Sequence, residues 1–453
     1  MNVSALKAPT VTLSQGLADF AVDTEASTIA ESARQVMQLS VLDWVAVAIA
    51  GKDEPVSRIV RQMVADEGGA AEAGAFGLTA RLPARAAAMA NGACSHALDY
   101  DDTHFAYFGH PTVVCASAAF AVAEKLGVTE AEALDAALIG AEVACRVGRW
   151  LGLSHYQQGF HQTATAGTFG AAMAAARLLR LDAEHACHAL GIAATRASGL
   201  KSQFGTMGKP FHAGMAASNG IEAAALAASG FVSNPDGLDT VQGFSATHAG
   251  GEAADPLNGL GRDWLFQSVQ HKFHACCHGT HATLEALGDL RREHGLEPDD
   301  VAQIAITVHP LFLKVCNIAE PSTGLEAKFS LRLTAAMALA GDDTAMLSSF
   351  SDAACVRPEL VALRDRAVVD TDADMPEPLA RVRITSTAGA VLEASHDINA
   401  QLPIETRQAR VRRKAGALLG SDRADACWQR IEAMPSSGTA FSLSRLTGAD
   451  GAG

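Results

Sequence analysis

Small side chains recurring at helical spacing dominate the first 265 or so residues. Segments such as AGTFGAAMAAARLLRL (166–181) and ASNGIEAAALAASGF (217–231) repeat apolar positions with the period of a helix, and glycines or Asn234–Pro235 close them. Alanine and glycine let neighbouring helices approach closely, so this part of the chain is predicted to form an all-helical core. With 453 residues and 49% hydrophobic residues, the chain can bury a large one.

The pattern changes near DWLFQSVQHKFHACCHGTH (263–281). Beyond it, VAQIAITVHP (301–310) and ARVRITSTAGAVLEASHDI (380–398) alternate as strands do, the second turning as a hairpin at Thr387–Ala388–Gly389. After 400, QARVRRKAGALLG and RADACWQRIEAM return to amphipathic helix. The expected fold is therefore mainly α with a smaller α+β domain: a helical domain at 1–269, an inserted α+β domain at 270–400, and C-terminal helices at 401–453 returning to the first domain.

The formal net charge of −15 argues against nucleic acid or an anionic membrane surface as the main partner. An anionic substrate would need local cations. The start of the chain lacks a basic segment followed by an apolar one, and no run reaches the ~18 apolar residues of a membrane span. A cytoplasmic protein is expected, and nine scattered cysteines read as reduced thiols.

Four segments carry titratable chemistry. HALDYDDTHFAYFGHP (96–111) places Asp99, Asp101 and Asp102 ahead of His104 and His110. These side chains could ligate a metal, decorate a solvated junction between helices, or form an acid/base site. No acid sits three residues beyond the Asp pair, where Phe105 stands, and no Gly-rich phosphate loop is nearby, which disfavours Mg²⁺–diphosphate. GFHQTATAGTFG (159–170) sets His161 just ahead of an apolar helix, whose positive end favours a carboxylate and a neutral imidazole. The bland alternative is a packing segment. GTMGKPFHAG (205–214) holds Lys209 in a fixed turn before an Ala-rich helix, where it could serve as a cation. HKFHACCHGTH (271–281) has four histidines and two cysteines in eleven residues, yet no second Cys/His pair follows at zinc spacing. Lys272 is the alternative functional group there.

Taken in order, NGACSHALDYDDTH with its later His-Pro pair, GFHQTATAGTFGAA, GKPFHAGMAASNGIEAA, KFHACCHGTH and LEAKFSLRLTAAMAL resemble the MmgE/PrpD family over nearly the whole chain. That resemblance implies a large helical domain built from both chain ends, a smaller α+β lid domain, a homodimer, and an active site between the domains. Members include 2-methylcitrate dehydratase, cis-aconitate decarboxylase and iminodisuccinate epimerase, which act on small anionic polycarboxylates without metal or organic cofactor. The family's catalytic pattern falls on Asp99, His110, His161, Lys209 and Lys272, with Thr103 and Cys277 at substrate-binding positions. Asp101 and Asp102 are left to finish the helix junction.

Two departures bear on the reaction. Where the decarboxylase branch has a histidine in the fourth segment this chain has Cys277, and where that branch has a tyrosine after KFSL it has Leu333. With two proton donors gone, the expected activity is epimerisation of an iminodisuccinate-like substrate by proton abstraction beside a carboxylate. A dehydratase or decarboxylase acting on a 2-methylcitrate- or cis-aconitate-like substrate is the alternative, and an inactive carboxylate-binding protein a second one.

Overall fold

A computed structural model describes residues 11–251 and 255–448. The chain divides into two compact units, one spanning Met1–His271 and Leu419–Gly453, the other Lys272–Leu418.

The first unit is helical. Its main helices are α1 (Leu13–Asp23), α2 (Glu31–Gly51), α3 (Pro55–Glu67), α4 (Ala84–Ser95), α5 (Pro111–Leu126), α6 (Glu130–Gln158), α7 (Gln162–Leu178), α8 (Ala183–Arg196) and α9 (Gly208–Ala228). α5 is buried from Pro111 to Glu124 and α7 over nearly its whole length, so both are apolar all round and lie in the centre of the unit. The small residues explain how so many helices share one core. A Cβ on Gly92 of α4 would come within 2.7 Å of Gly214 Cα in α9, and one on Gly140 of α6 within 2.7 Å of the Gly170 carbonyl oxygen in α7. Backbone therefore touches backbone at these crossings, which any larger side chain would force apart. Aromatic packing fills the remaining space around Trp44 of α2, which meets Phe76 and Phe120 edge-on and donates its indole N–H to Ser117 Oγ at 3.2 Å.

The second unit contains a four-stranded sheet of order β2-β1-β3-β4, built from β1 (Val301–Val308), β2 (Ala367–Thr371), β3 (Leu379–Ser386) and β4 (Val391–Asp397). β1 pairs antiparallel with β3 and parallel with β2; β3 and β4 form the hairpin expected from the sequence, with Gly389 at φ 83° in its turn. β2 was not anticipated: AVVDT is too short to show an alternation, and its parallel pairing depends on the helical connection that precedes it. Val301, Ile304, Ile306 and Val308 of β1 are buried, and the helix His281–His294 packs on the sheet.

The expected end of the insertion at 400 moves to Leu418. The helix Ile404–Leu419 belongs to the second unit because its basic residues are anchored there: Arg410 pairs with Glu285 and lies 3.9 Å from the Phe273 ring centroid, and Arg413 reaches Asp343 at 3.3 Å. The next helix, Ser421–Ala433, joins the first unit, where Gln38 Nε2 donates to the Ile431 carbonyl at 3.0 Å. Among the described residues, no helix is long and apolar enough to cross a membrane.

Candidate active site

His110 and His161 each stand immediately before one of the two central helices. His110 precedes α5 with Pro111 in its first turn, and His161 precedes α7; both have extended backbone, and neither spends its side chain on capping. The His110 N–H donates to Thr163 Oγ1 at 3.0 Å and the Tyr107 hydroxyl to the Thr163 carbonyl at 3.2 Å, tying the two helix starts together. His161 is fixed by its own N–H, which donates to the Gly199 carbonyl at 3.0 Å. The neighbouring Gln162 Nε2 donates to the Gly152 carbonyl at 2.8 Å, where α6 breaks at φ 70°. Lys209 lies in the first turn of α9. Three helix N-termini, with their positive dipole ends, thus converge on one group of side chains.

The segment after α4 supplies the acids. Asp99 adopts φ 49°, a left-handed turn that aspartate tolerates, and its Oδ1 accepts from Lys209 Nζ at 2.6 Å. His110 Nε2 is 3.6 Å from the same oxygen. Asp101 is buried between two imidazoles, with His96 Nδ1 2.8 Å from Oδ1 and His110 Nδ1 2.9 Å from Oδ2. The His96 contact is a hydrogen bond; the His110 contact is as short, but its two facing atoms do not form a hydrogen bond in this geometry. On the far side, the His96 and His161 rings stack with centroids 6.1 Å apart, and His161 Nδ1 meets His212 Nδ1 at 3.0 Å.

Electrostatics separate these groups. Burial alone would push the Asp101 carboxyl up, but His96 and His110 override it and hold it well below the usual carboxylate range. Burial brings His110 down to about 4 against the upward pull of Asp101, with His96 and Lys209 adding to the fall. His161 is held well below its ordinary value, by burial first and then by Lys209 and its histidine neighbours. Desolvation is thus the largest influence keeping both imidazoles neutral. Asp102 is pushed the other way, to about 7, by burial and by the nearby Asp43, while Thr112 donates to its Oδ2 at 2.6 Å.

Of the residues expected from the sequence, Asp99, His110 and Lys209 are in direct contact, and His161 is joined to them through His96. Thr103 lies on the same loop, its backbone paired in both directions with Gln270 and its hydroxyl 3.5 Å from the Gln270 carbonyl. Lys272 and Cys277 belong to the second unit. Lys272 is buried there among Cys276 and His281, while the Cys277 N–H donates to the Lys328 carbonyl at 2.9 Å and its thiol faces Cys316.

Asp101, expected to finish the helix junction, lies instead at the centre of a histidine pair, and His96 joins the site with it. The only sequence signal for this was a histidine five positions ahead of an aspartate within the acidic stretch. His104 has a structural role: its Nε2 lies 2.8 Å from the Leu265 carbonyl, to which it donates, and its Nδ1 accepts from the Tyr107 N–H at 3.2 Å. In the fourth segment, His274 is engaged by Thr344 and Glu285, at 2.6 and 3.1 Å. His96, Asp99, Asp101 and His110 each offer one ligand atom within 4.8 Å of the others, a set able to hold a metal ion, but the Lys209 ammonium already sits on Asp99.

Comparison with known proteins bears on the reaction. The MmgE/PrpD N-terminal domain matches residues 15–257 and the MmgE/PrpD C-terminal domain residues 274–425. Among curated relatives, the cis-aconitate decarboxylase-like protein oryM of Aspergillus oryzae is 30% identical over 295 residues, 61% of either chain. Cis-aconitate decarboxylase of Aspergillus terreus is 30% identical over 293 residues, 61% of this chain and 59% of its own. The human cis-aconitate decarboxylase is 31% identical over 307 residues, 65% of this chain and 63% of its own. The matched region spans about three fifths of these relatives' length.

These relatives are lyases by name, which overturns the expectation of an epimerase. That expectation treated Leu333 and Cys277 as lost proton donors. Leu333 is fully buried on the helix Leu331–Ala340, its N–H donating to the Ser330 hydroxyl at 3.1 Å, and the first unit carries its own set of imidazoles irrespective of either position.

Proposed function

The chain belongs to the MmgE/PrpD family, and on that premise we propose that it is a lyase that decarboxylates a small unsaturated tricarboxylate of the cis-aconitate type. The observation that carries this reading is the array Lys209–Asp99–His110–Asp101–His96, a cation and a proton-transfer pair side by side at two helix N-termini. The similarity to named decarboxylases supports it.

Decarboxylation breaks the bond between a carboxylate and the saturated carbon that carries it. Carbon dioxide leaves without the bonding electron pair, which forms a new C=C bond, and the former alkene carbon then takes a proton. The step needs a cation to bind a remaining carboxylate and stabilise charge as it spreads, together with one proton donor. Lys209 fits the first role, in which a well-placed donor contributes about 3 kcal/mol. His110 fits the second. It is neutral in the free protein, and the carboxylates of an arriving substrate raise its affinity for a proton, so the acid forms where it is used.

The test is to incubate the purified protein with cis-aconitate in D₂O. Release of CO₂ with a five-carbon diacid carrying one carbon-bound deuterium is expected. Water loss from 2-methylcitrate, with cis-aconitate inert, would assign the dehydratase reaction instead, and no turnover of either would reject a lyase.

A further inference from the structure

We propose that Asp101 is a positioning residue for this reaction: it holds His96 and His110 as Nδ1–H donors and so reserves Nε2 of His110 for proton exchange with the substrate. The inference rests on the lyase reading for its chemistry but on geometry alone for the tautomers.

An ionised carboxylate only accepts hydrogen bonds. Asp101 is 1% exposed and presents one oxygen to each ring, at 2.8 and 2.9 Å. At His96 the hydrogen bond requires the proton on Nδ1; at His110 the short contact with the carboxylate favours the same tautomer, and each neutral ring then keeps its lone pair on Nε2. For His110 that atom lies 3.6 Å from Asp99 Oδ1, beside the Lys209 ammonium and on the more open side, since the Asp99 side chain is 38% exposed. A ring with the opposite tautomer would set a lone pair against Asp101 and point its N–H at Asp99. The His110–Asp101 contact is short without being a hydrogen bond in the substrate-free protein, and catalytic contacts of this kind often align only when substrate is bound.

The groups facing His110 are His96, Asp99 and Asp101 from the segment after α4, Lys209 from α9 and His161 from α7. Of these, Asp101 is the one whose charge, held 2.9 Å from Nδ1, favours the imidazolium most. Replacing it with Asn keeps the shape but substitutes a donor for one of the two acceptors. The amide can then satisfy only one of the two rings in its present tautomer.

The test begins with the wild-type protein and needs no turnover. Imidazole ¹⁵N spectra of histidine-labelled protein should show His96 and His110 both protonated at Nδ1 at neutral pH; a His110 protonated only at Nε2 overturns the proposal. In the Asp101→Asn protein, kcat for cis-aconitate should fall about 10²–10⁴-fold with KM within about twofold. The loss of kcat at high pH should also begin about one pH unit lower. Asp101→Glu, which keeps both acceptors, should recover most of kcat. Wild-type kcat and pH profile in Asp101→Asn would also overturn the proposal. If the wild-type protein turns over no tricarboxylate, the lyase reading fails while the spectra still decide the tautomers.

Discussion

Lys209 Nζ and Asp99 Oδ1 lie 2.6 Å apart, joining the first turn of α9 to a left-handed turn 110 residues earlier in the chain. The pair is partly exposed, with 16% and 38% of the two side chains accessible, so it adds little to stability. Its value is positional, because it keeps an ammonium at the site before substrate arrives.

Lys209→Met is therefore expected to lower kcat/KM for a tricarboxylate by about 10²–10³-fold, the loss typical of one oriented charge-stabilising donor. The melting temperature should move by only a few degrees. Steady-state kinetics with a thermal melt check both, and unchanged kinetics would remove Lys209 from substrate binding.

Metal removal should leave activity intact. Although His96, Asp99, Asp101 and His110 come within ligand distance of one another, the Lys209 ammonium occupies the anionic side of the group and the proposed chemistry needs no Lewis acid. Dialysis against EDTA followed by assay tests this; activity lost and then restored by one added metal would contradict it.

Asp102 gives a stability prediction with a definite sign. Its folded value, raised from 3.8 to about 7 by burial and by Asp43, means that the folded protein keeps the proton while the unfolded chain releases it. Its contribution to stability is present below about pH 4 and is lost as the pH rises through 7. Asp102→Asn removes this penalty and can still accept from Thr112. The difference in melting temperature, variant minus wild type, should thus be more positive at pH 8 than at pH 4.5. Burial of His104, which lowers it to about 4, acts in the opposite sense, since its stabilising neutral state is lost as the pH falls from about 6.5 through 4. Both proteins share that loss, so it cancels in the difference.

Two glycines separate close approach from helix propensity. A Cβ on Gly214 would lie 2.1 Å from the Met89 carbonyl oxygen, so Gly214→Ala must spread α4 from α9 and should destabilise by 3 kcal/mol or so, towards the severe end for overpacking. Gly288, inside the helix His281–His294, has nothing within 4 Å of such an atom, and Gly288→Ala should stabilise by about 1 kcal/mol. Chemical denaturation of the two variants measures both effects.

Much of this molecule can be read locally. Helical periodicity and small residues specify the first unit, because side chains three and four apart share a helix face whatever the rest of the chain does. Alternation and Gly389 likewise specify the β3–β4 hairpin. The four chemically loaded segments are visible as unusual clusters of titratable residues, and they carry the resemblance to the family without any knowledge of the fold. Tertiary structure decided what no local pattern encodes. The short strand β2 exists through its partner β1, and the helix Ile404–Leu419 belongs to the second unit because Arg410 finds Glu285 there. Within one acidic stretch, the fold gave Asp99 to Lys209, Asp101 to two histidines and Asp102 to Asp43 and Thr112. Three aspartates within four positions carry the same intrinsic chemistry. Their different roles follow from burial and from partners on α2, α5 and α9, since proton affinity in a desolvated site is set by the nearest charges rather than by sequence neighbours.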